Sequence, residues 1–386
     1  MKNVFFKLLA LCLCLVMVGA IFAGCNKKEE AIVIGFSGPL TGGAAVYGMA
    51  VKNSAEMAIE EINANGGLNG IPLKLEATDD KHDATLVETN YNTLMDKGMQ
   101  VSLGTVTTAP GLEFKALAKN DNVFFLTPSA SGDDIPEFDN GYQMCFADSN
   151  QGEKVAVEYV NGKYANEGEV GIFYKSDDPY SKGIYDKFKA SLDSNIKTVE
   201  ASFTDSNDKD FTAQIELLKN CKFIFMPIYY TPAALFMNQA KSTVAADAIY
   251  FGCDGFDGLE GQLGEDMPTI PQQIIMLSHF NSKATEGKAA DFVKKYTEKF
   301  GTDTLNQFGA AAYDCVYALH AAMDAAIKAG KKIDANTSAS DLCEILKEQF
   351  NGDFKFSGAT GTDIQWQTSG YVDKAAVAYV IKEKNA

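Results

Sequence analysis

The stretch Gly104–Ser131, GTVTTAPGLEFKALAKNDNVFFLTPSAS, decides the fold of this chain. Two short apolar segments, VSLG at 101–104 and VFFL at 123–126, have the length and composition of buried strands. Hydroxyl residues follow each segment, at Thr105–Thr108 and at Thr127–Ser131. The stretch therefore predicts two parallel strands that each deliver small hydroxyl residues to the start of a helix.

The carboxyl edge of such a sheet is the expected ligand site. Ligands of open α/β sheets bind there, and the unpaired N–H groups of helix N-termini attract anions. The candidate donors are Thr108, Ser129 and Ser131. The chain contains no arginine, so a carboxylate or a phosphate must be bound without a bidentate guanidinium group. Simple helix capping is the alternative role for these hydroxyls.

Strand and helix patterns alternate along the chain in two series. The predicted strands lie at 31–38, 73–80, 101–104 and 123–126 in the first series, and at 169–175, 198–203, 221–230, 248–252 and 274–280 in the second. Helical patterns separate them, beginning with an amphipathic stretch at 47–67. This order predicts an α/β protein with two doubly wound parallel-sheet lobes.

The segment after Phe280 contains too few predicted strands to form a third domain. Three helical stretches, at 285–300, 307–329 and 338–350, precede two predicted strands at 362–367 and 375–382. We expect lobe 1 to comprise 31–147 and 281–359, and lobe 2 to comprise 148–280 and 360–386. The chain then crosses between the lobes three times, and such a hinge allows two lobes to close on a ligand.

Residues 1–24 are interpreted as a signal peptide. Lysines precede an apolar run at 8–23 that is short for a membrane span. The residues that follow, Phe22-Ala23-Gly24-Cys25, resemble a bacterial lipobox, in which Cys25 is lipidated and begins the mature chain. An ordinary secretory signal and a membrane anchor are the alternatives. We expect 25–30 to be a tether and the protein to be extracytoplasmic, anchored in the cell membrane through its lipid.

Composition excludes several classes of function. The 34 lysines stand against 51 acidic residues, and a net charge of −17 argues against nucleic acid as a partner. The three histidines, His82, His279 and His320, have no metal-ligand spacing, so we expect no metal and no other cofactor. The chain has no GxSxG motif, no P-loop and no GxGxxG after its first strand, which argues against catalytic residues and against an enzyme.

The cysteines after the signal region are five in number and lack CxxC spacing. They are Cys145, Cys221, Cys253, Cys315 and Cys343. We interpret them as small buried side chains, with one disulfide as the alternative.

Three segments together resemble the leucine/isoleucine/valine-binding family of ABC-transporter solute-binding proteins. They are IGFSGPLTGGAAVYG at 34–48, AIEEINANGGLNGIPLKLEATDD at 58–80, and the pair VSLGTVTTAP and FFLTPSAS at 101–110 and 124–131. The resemblance covers essentially the whole chain after the signal. It implies a type I periplasmic-binding-protein clamp, expected to be monomeric, that encloses an amino acid between two lobes and delivers it to an ABC permease.

The resemblance also implies roles for single residues. Thr108, Ser129 and Ser131 would bind the α-carboxylate of the ligand, and Asp254 on the facing lobe would bind its α-ammonium group. Leucine-type members carry Glu where this chain has Asp254, so the carboxylate reaches one methylene less far and the ligand's identity stays open. Asp257 lies nearby, and helix capping is the alternative role for either acid.

Tyrosines are expected to wall the cleft. Tyr47, Tyr180 and Tyr230 fall at loop positions, and Tyr229 is the alternative to Tyr230. Some family members have a disulfide at positions occupied here by His82 and Thr107, so that bridge cannot form.

The expected ligand is a branched-chain or another apolar or aromatic amino acid. An amide, urea or another small polar solute is the alternative, as is a ligand sensor built on the same clamp.

Overall fold

The computed structural model describes residues 30–164 and 168–384, which form two β-sheets. The strands of the first sheet are β1 (Ile32–Gly38), β2 (Leu73–Asp79), β3 (Val101–Ser102), β4 (Phe125–Thr127) and β5 (Gly141–Gln143). The strands of the second are β6 (Val170–Lys175), β7 (Thr198–Phe203), β8 (Phe223–Met226), β9 (Ile249–Gly252), β10 (Gln273–Ser278) and β11 (Val377–Lys382). Their orders are β2-β1-β3-β4-β5 and β11-β10-β9-β8-β6-β7. Only the β10–β11 pair among these is antiparallel, so the predicted α/β architecture is confirmed.

Helices connect and flank the strands of both sheets. They are α1 (Ala45–Ala64), α2 (Val87–Asp96), α3 (Thr108–Asp121), α4 (Asp148–Lys154), α5 (Pro179–Ser191), α6 (Thr212–Leu218), α7 (Tyr230–Ala240), α8 (Leu259–Leu263), α9 (Gly287–Phe300), α10 (Gln307–Lys328) and α11 (Ala339–Phe350). A π-helix, Val155–Lys163, continues α4, and short 3₁₀ segments include Asp205–Asn207 and Asp254–Phe256. The three helices predicted after Phe280 are confirmed as α9, α10 and α11.

The second hydroxyl-bearing strand end does not lead into a helix. The first does, since α3 begins at Thr108, but the chain after β4 turns and enters β5 directly. The segment between them, GDDIPEFDN at 132–140, begins with glycine and contains Pro136, which removes a backbone donor and disfavours a helix. The sequence also missed β5, because GYQ at 141–143 is too short for a recognisable strand pattern.

The prediction of a strand at 362–367 is wrong. This segment makes only isolated bridges, Phe356 with Ile364 and Trp366 with Val372, because turns at 358–361 and 367–370 reverse the chain on both sides. The second predicted strand, at 375–382, is confirmed as β11.

Residues 360–372 lie against the first sheet rather than the second. Trp366 Nε1 donates to the Gln143 carbonyl at 2.8 Å, and the Gln143 N–H donates to the Gly370 carbonyl at 2.9 Å. Beyond them, β11 joins the second sheet by pairing with β10. We therefore propose to place the last lobe boundary after residue 372, instead of at 360, and to keep the other boundaries as predicted.

All five cysteines in the described part are buried and unpaired, which confirms their interpretation as small buried side chains. Within residues 30–164 and 168–384, none of the helices is both long and apolar enough to cross a membrane. The signal peptide, Cys25 and the tether up to residue 29 lie outside the described residues.

Candidate functional site

A narrow cavity of about 10 Å³ lies where the carboxyl ends of the two sheets face each other. Its walls are Tyr47, Val106, Thr107, Thr108, Ser129, Ser131, Tyr180, Tyr229, Asp254, Gly255 and Phe308. Six of the seven predicted site residues are among them, and Tyr230 is the exception. The structure therefore brings together predicted site residues from Tyr47 to Asp254, which are about 200 positions apart in the chain.

Lobe 1 contributes hydroxyl groups and the N-terminus of α3. Thr107 is the extended residue before the helix and Thr108 is its first residue, so the unpaired N–H groups of the first turn lie at the cavity wall. Thr108 Oγ1 is buried and has no hydrogen-bond partner among the described residues. Ser129 Oγ donates to the Val106 carbonyl at 2.7 Å and so holds the two hydroxyl-bearing loops together. This edge can donate hydrogen bonds to a carboxylate.

Lobe 2 contributes a carboxylate. Asp254 follows β9, and its Oδ1 accepts from the Tyr180 hydroxyl at 2.6 Å, while its N–H donates to Gln151 Oε1 at 2.9 Å. The Tyr180 hydroxyl in turn accepts from the Gly255 N–H at 2.9 Å. Burial raises the pKa of Asp254 to about 6, although the hydrogen bond from Tyr180 opposes this shift. A cation in the cavity would therefore find an acceptor that ionises near neutral pH.

A second buried acid, Asp148, lies close to Asp254. It is the first residue of α4, and neither of its carboxylate oxygens has a hydrogen-bond partner in the described part of the chain. Burial, and then the charge of Asp254, raises the pKa of Asp148 well above its usual range. The sequence analysis did not identify Asp148 as a site residue. Its position at the predicted crossing between the lobes was the one feature of the sequence that could have indicated it.

Aromatic rings form the rest of the wall. The Tyr229 ring stacks on Tyr180 with centroids 4.6 Å apart, and Tyr47 makes an edge contact with Phe308 at 4.8 Å. Phe308 carries no signal in the sequence, because it lies inside α10 and not at a strand end.

Tyr229, the alternative that the sequence offered, is among the residues that line the cavity, whereas the predicted Tyr230 is not. Tyr229 is the extended residue before α7, whereas Tyr230 is the first residue of the helix, and so their side chains point in different directions. The Tyr230 hydroxyl accepts from the Val46 N–H at 3.4 Å, and its ring packs on Tyr47. Tyr230 thus contributes to the contact between lobes.

The two lobes touch around the cavity. The Tyr47 hydroxyl donates to the Gly255 carbonyl at 2.5 Å, and Thr231 Oγ1 donates to the Gly43 carbonyl at 2.7 Å. Asp257 Oδ2 accepts from the N–H of Gln307 at 2.9 Å, so this acid caps α10 across the cleft. Burial raises the pKa of Asp257 to about 7. These contacts correspond to a closed clamp.

Comparison with known proteins gives the family. Residues 31–373 match the periplasmic binding protein family. The chain is 30% identical over 318 residues to the Leu/Ile/Val-binding protein BraC3 of Rhizobium johnstonii, a match that covers 81% of this chain and 83% of that protein. It is 29% identical over 264 residues to the leucine-, isoleucine-, valine-, threonine- and alanine-binding protein of Pseudomonas aeruginosa, which covers 65% of this chain and 69% of that protein.

Solved structures agree with this assignment. The branched-chain amino acid transporter substrate binding protein LivJ of Streptococcus pneumoniae, in complex with isoleucine, superposes with a TM-score of 0.78 at 26% identity, over 92% of this chain and 96% of that one. The leucine binding protein LivK of Thermotoga maritima has the same fold, with a TM-score of 0.78 at 23% identity, over 92% and 98%. Family match, relatives and fold thus confirm the resemblance seen in the sequence, and the chain belongs to the periplasmic binding protein family.

Proposed function

We propose that this protein is the extracytoplasmic solute-binding component of an ABC importer and that it binds an amino acid between its lobes. One observation carries the proposal: unpaired donors of lobe 1, including Thr108 Oγ1, face the carboxylate of Asp254 on lobe 2 across one cavity. A zwitterion needs both halves, because its carboxylate accepts hydrogen bonds and its ammonium group donates them. The names of the relatives, which specify leucine, isoleucine and valine, support the same ligand class.

The cavity wall supports a ligand with an apolar or aromatic side chain. Beside the polar groups it consists of Tyr47, Val106, Tyr229 and Phe308, which offer apolar surface to a side chain. Thr108, Ser129 and Ser131 would bind the carboxylate, Asp254 the ammonium group, and Tyr47, Tyr180 and Tyr229 would enclose the rest. In this proposal the protein has no catalytic activity, acts as a monomer, and is held at the membrane by a lipid on Cys25.

Isothermal titration against the twenty amino acids tests the proposal. We expect the tightest binding with an apolar amino acid such as L-isoleucine. Binding of urea or an amide, with no response to any amino acid, would refute the proposed ligand class.

The variant Asp254→Asn tests the ammonium site. We expect L-isoleucine to bind about 10- to 150-fold more weakly, because a charge-assisted hydrogen bond contributes about 1.5–3 kcal/mol. The deaminated analogue 3-methylpentanoate, which lacks the ammonium group, should not lose affinity in this variant. Glu265→Gln removes an exposed acid of the same lobe and is the control. Equal affinity of Asp254→Asn and the unmodified protein for L-isoleucine would refute the assignment.

A further inference from the structure

We propose that His82 is a positioning residue of the cleft: when neutral it holds Tyr229 on the cavity wall and permits closure, and its protonation opens the clamp. The inference rests on the proposed function in assuming that closure accompanies ligand binding. It adds a pH response of ligand affinity that originates in a residue outside the cavity wall.

His82 is held in place by its own lobe. It lies in the loop after β2, where Lys81 and His82 both have left-handed backbone conformations, with φ of 55° and 64°. The His82 N–H donates to Asp80 Oδ1 at 3.0 Å, which fixes this turn. The ring nitrogen Nδ1 lies 2.9 Å from the hydroxyl Oγ1 of Thr107, a residue of the cavity wall. The imidazole is therefore oriented before lobe 2 approaches.

The other side of the His82 ring contacts lobe 2. It meets the Tyr229 ring edge-on, with centroids 5.1 Å apart. Tyr229 stacks on Tyr180, whose hydroxyl donates to Asp254. A continuous line of contacts thus connects His82 on lobe 1 to the proposed ammonium acceptor on lobe 2, and it exists only while the lobes touch.

Charged groups surround the ring from both lobes. Asp80 and Asp83 flank it on its own loop, while lobe 2 presents Lys175 at the end of β6 and Asp205 in the 3₁₀ segment after β7. Lys175 Nζ forms ion pairs with Asp205 Oδ1 at 2.7 Å and with Asp177 Oδ1 at 3.4 Å, so the charges of this cluster on lobe 2 largely cancel one another. The ring also contacts Tyr229, the residue before α7, which carries no charge. An imidazolium ring in the closed cleft would lose its hydration, and this loss is the largest effect that disfavours its charged form.

Proton linkage gives the sign of the effect. Burial, and then the charge of Lys175, lowers the pKa of His82 to about 4. An imidazole in water has a pKa of about 6.5, the value expected once the lobes separate. The closed form therefore binds fewer protons than the open form between these two values, and acidification through this window favours opening. Each pH unit within it can weaken ligand binding by up to about tenfold.

Titration calorimetry with L-isoleucine at pH 7.5 and pH 5 tests the response. Asp254 also titrates in this range, so the unmodified protein must be compared with His82→Gln, which keeps a polar partner for Thr107 but cannot be protonated. We expect the loss of affinity between the two pH values to be about 20-fold smaller in His82→Gln. His320→Gln is the control, because this histidine contacts the Gly67 carbonyl and is not part of the cavity wall. Equal losses in the unmodified protein and in His82→Gln would overturn the proposal.

A second measurement needs no ligand. A Cβ atom at Gly43 would lie 3.8 Å from Thr231 Oγ1 on the other lobe, so side chains at these two positions meet across the cleft. The double variant Gly43→Cys with Thr231→Cys is therefore designed to lock the closed clamp by a disulfide when oxidised. NMR titration of the histidine Cε1–H signals, assigned with His82→Gln, should give a lower pKa for His82 in the oxidised form than in the reduced form.

The two measurements separate the two proposals. If L-isoleucine does not bind at pH 7.5, the ligand class proposed above fails, while the NMR titration still decides the role of His82. The same His82 pKa in oxidised and reduced forms would overturn the inference even if the amino acid binds.

Discussion

At the scale of single residues, the site depends on keeping the buried carboxyl group of Asp254 able to carry a negative charge. Asp254 is 1% exposed, and burial alone would favour its neutral form. The Tyr180 hydroxyl stabilises the charged form by donating to Oδ1, and the same hydroxyl accepts from the Gly255 N–H. Tyr180 is thus part of the aromatic wall, and its hydrogen bond also lowers the pKa of Asp254, which favours the charged form that an ammonium group needs.

The variant Tyr180→Phe should shift the pH dependence of amino-acid affinity. Because the hydrogen bond from Tyr180 lowers the pKa of Asp254, its loss raises this pKa above about 6, and Asp254 becomes protonated at higher pH. Affinity should therefore begin to fall about one pH unit earlier on acidification. Titration calorimetry from pH 8.5 to 5.5 measures the shift. Tyr185→Phe, on the same helix but bonded to Glu200, is the control, and superimposable profiles of Tyr180→Phe and the unmodified protein would contradict the prediction.

At the scale of elements, α1 and α10 support the cavity from lobe 1. The N-terminus of α10 carries Phe308 of the wall and Gln307, which donates to Asp257 of the other lobe. The next residue, Gly309, lies against α1: a Cβ atom there would lie 2.9 Å from Ser54 Oγ and 3.2 Å from the Ala50 carbonyl oxygen. A glycine at this position lets the two helices approach closely, and their separation sets the position of the wall.

The variant Gly309→Val should force these helices apart. Overpacking of a close helix contact costs about 1–3 kcal/mol, so we expect a melting temperature lower by several degrees in calorimetry. Affinity for L-isoleucine should weaken as well, since Phe308 moves with the helix. Gly261→Ala in α8 is the matched control, because a Cβ atom there meets nothing within 4 Å. Unchanged melting of Gly309→Val would show that the contact adapts freely.

At the scale of the whole molecule, the lobes meet along a rim of hydrogen bonds. Tyr47, Thr231 and Asp257 each take part in hydrogen bonds across the cleft. The cavity between them, of about 10 Å³, has room for little more than one water molecule, so binding of an amino acid requires the lobes to separate.

Small-angle X-ray scattering should detect this movement. We expect the radius of gyration to decrease when L-isoleucine is added, because a ligand that contacts both lobes favours the closed form. Asp254→Asn at the same ligand concentration should show a smaller decrease, since it removes the contact on lobe 2. An identical radius of gyration with and without a bound amino acid would contradict closure.

Much of the site could be predicted because it lies at strand ends. Thr108, Ser129 and Asp254 each follow an apolar strand, and parallel strands bring their carboxyl ends to one edge. Phe308 and Asp148 could not be found in this way, since one lies within a helix and the other begins a helix at the lobe crossing. The choice between Tyr229 and Tyr230 depended on where α7 starts, and one residue changes the direction of the side chain.

The sequence by itself determined the alternation of strands and helices, the two series that become two sheets, and the absence of arginine from any site for an anion. These features depend on local apolar patterns and on composition, which need no knowledge of distant contacts. Only the tertiary structure decided that 360–372 pack on lobe 1 and that His82 contacts both Thr107 and Tyr229. Each of these depends on contacts between segments far apart in the chain, whose free energy outweighs local preference.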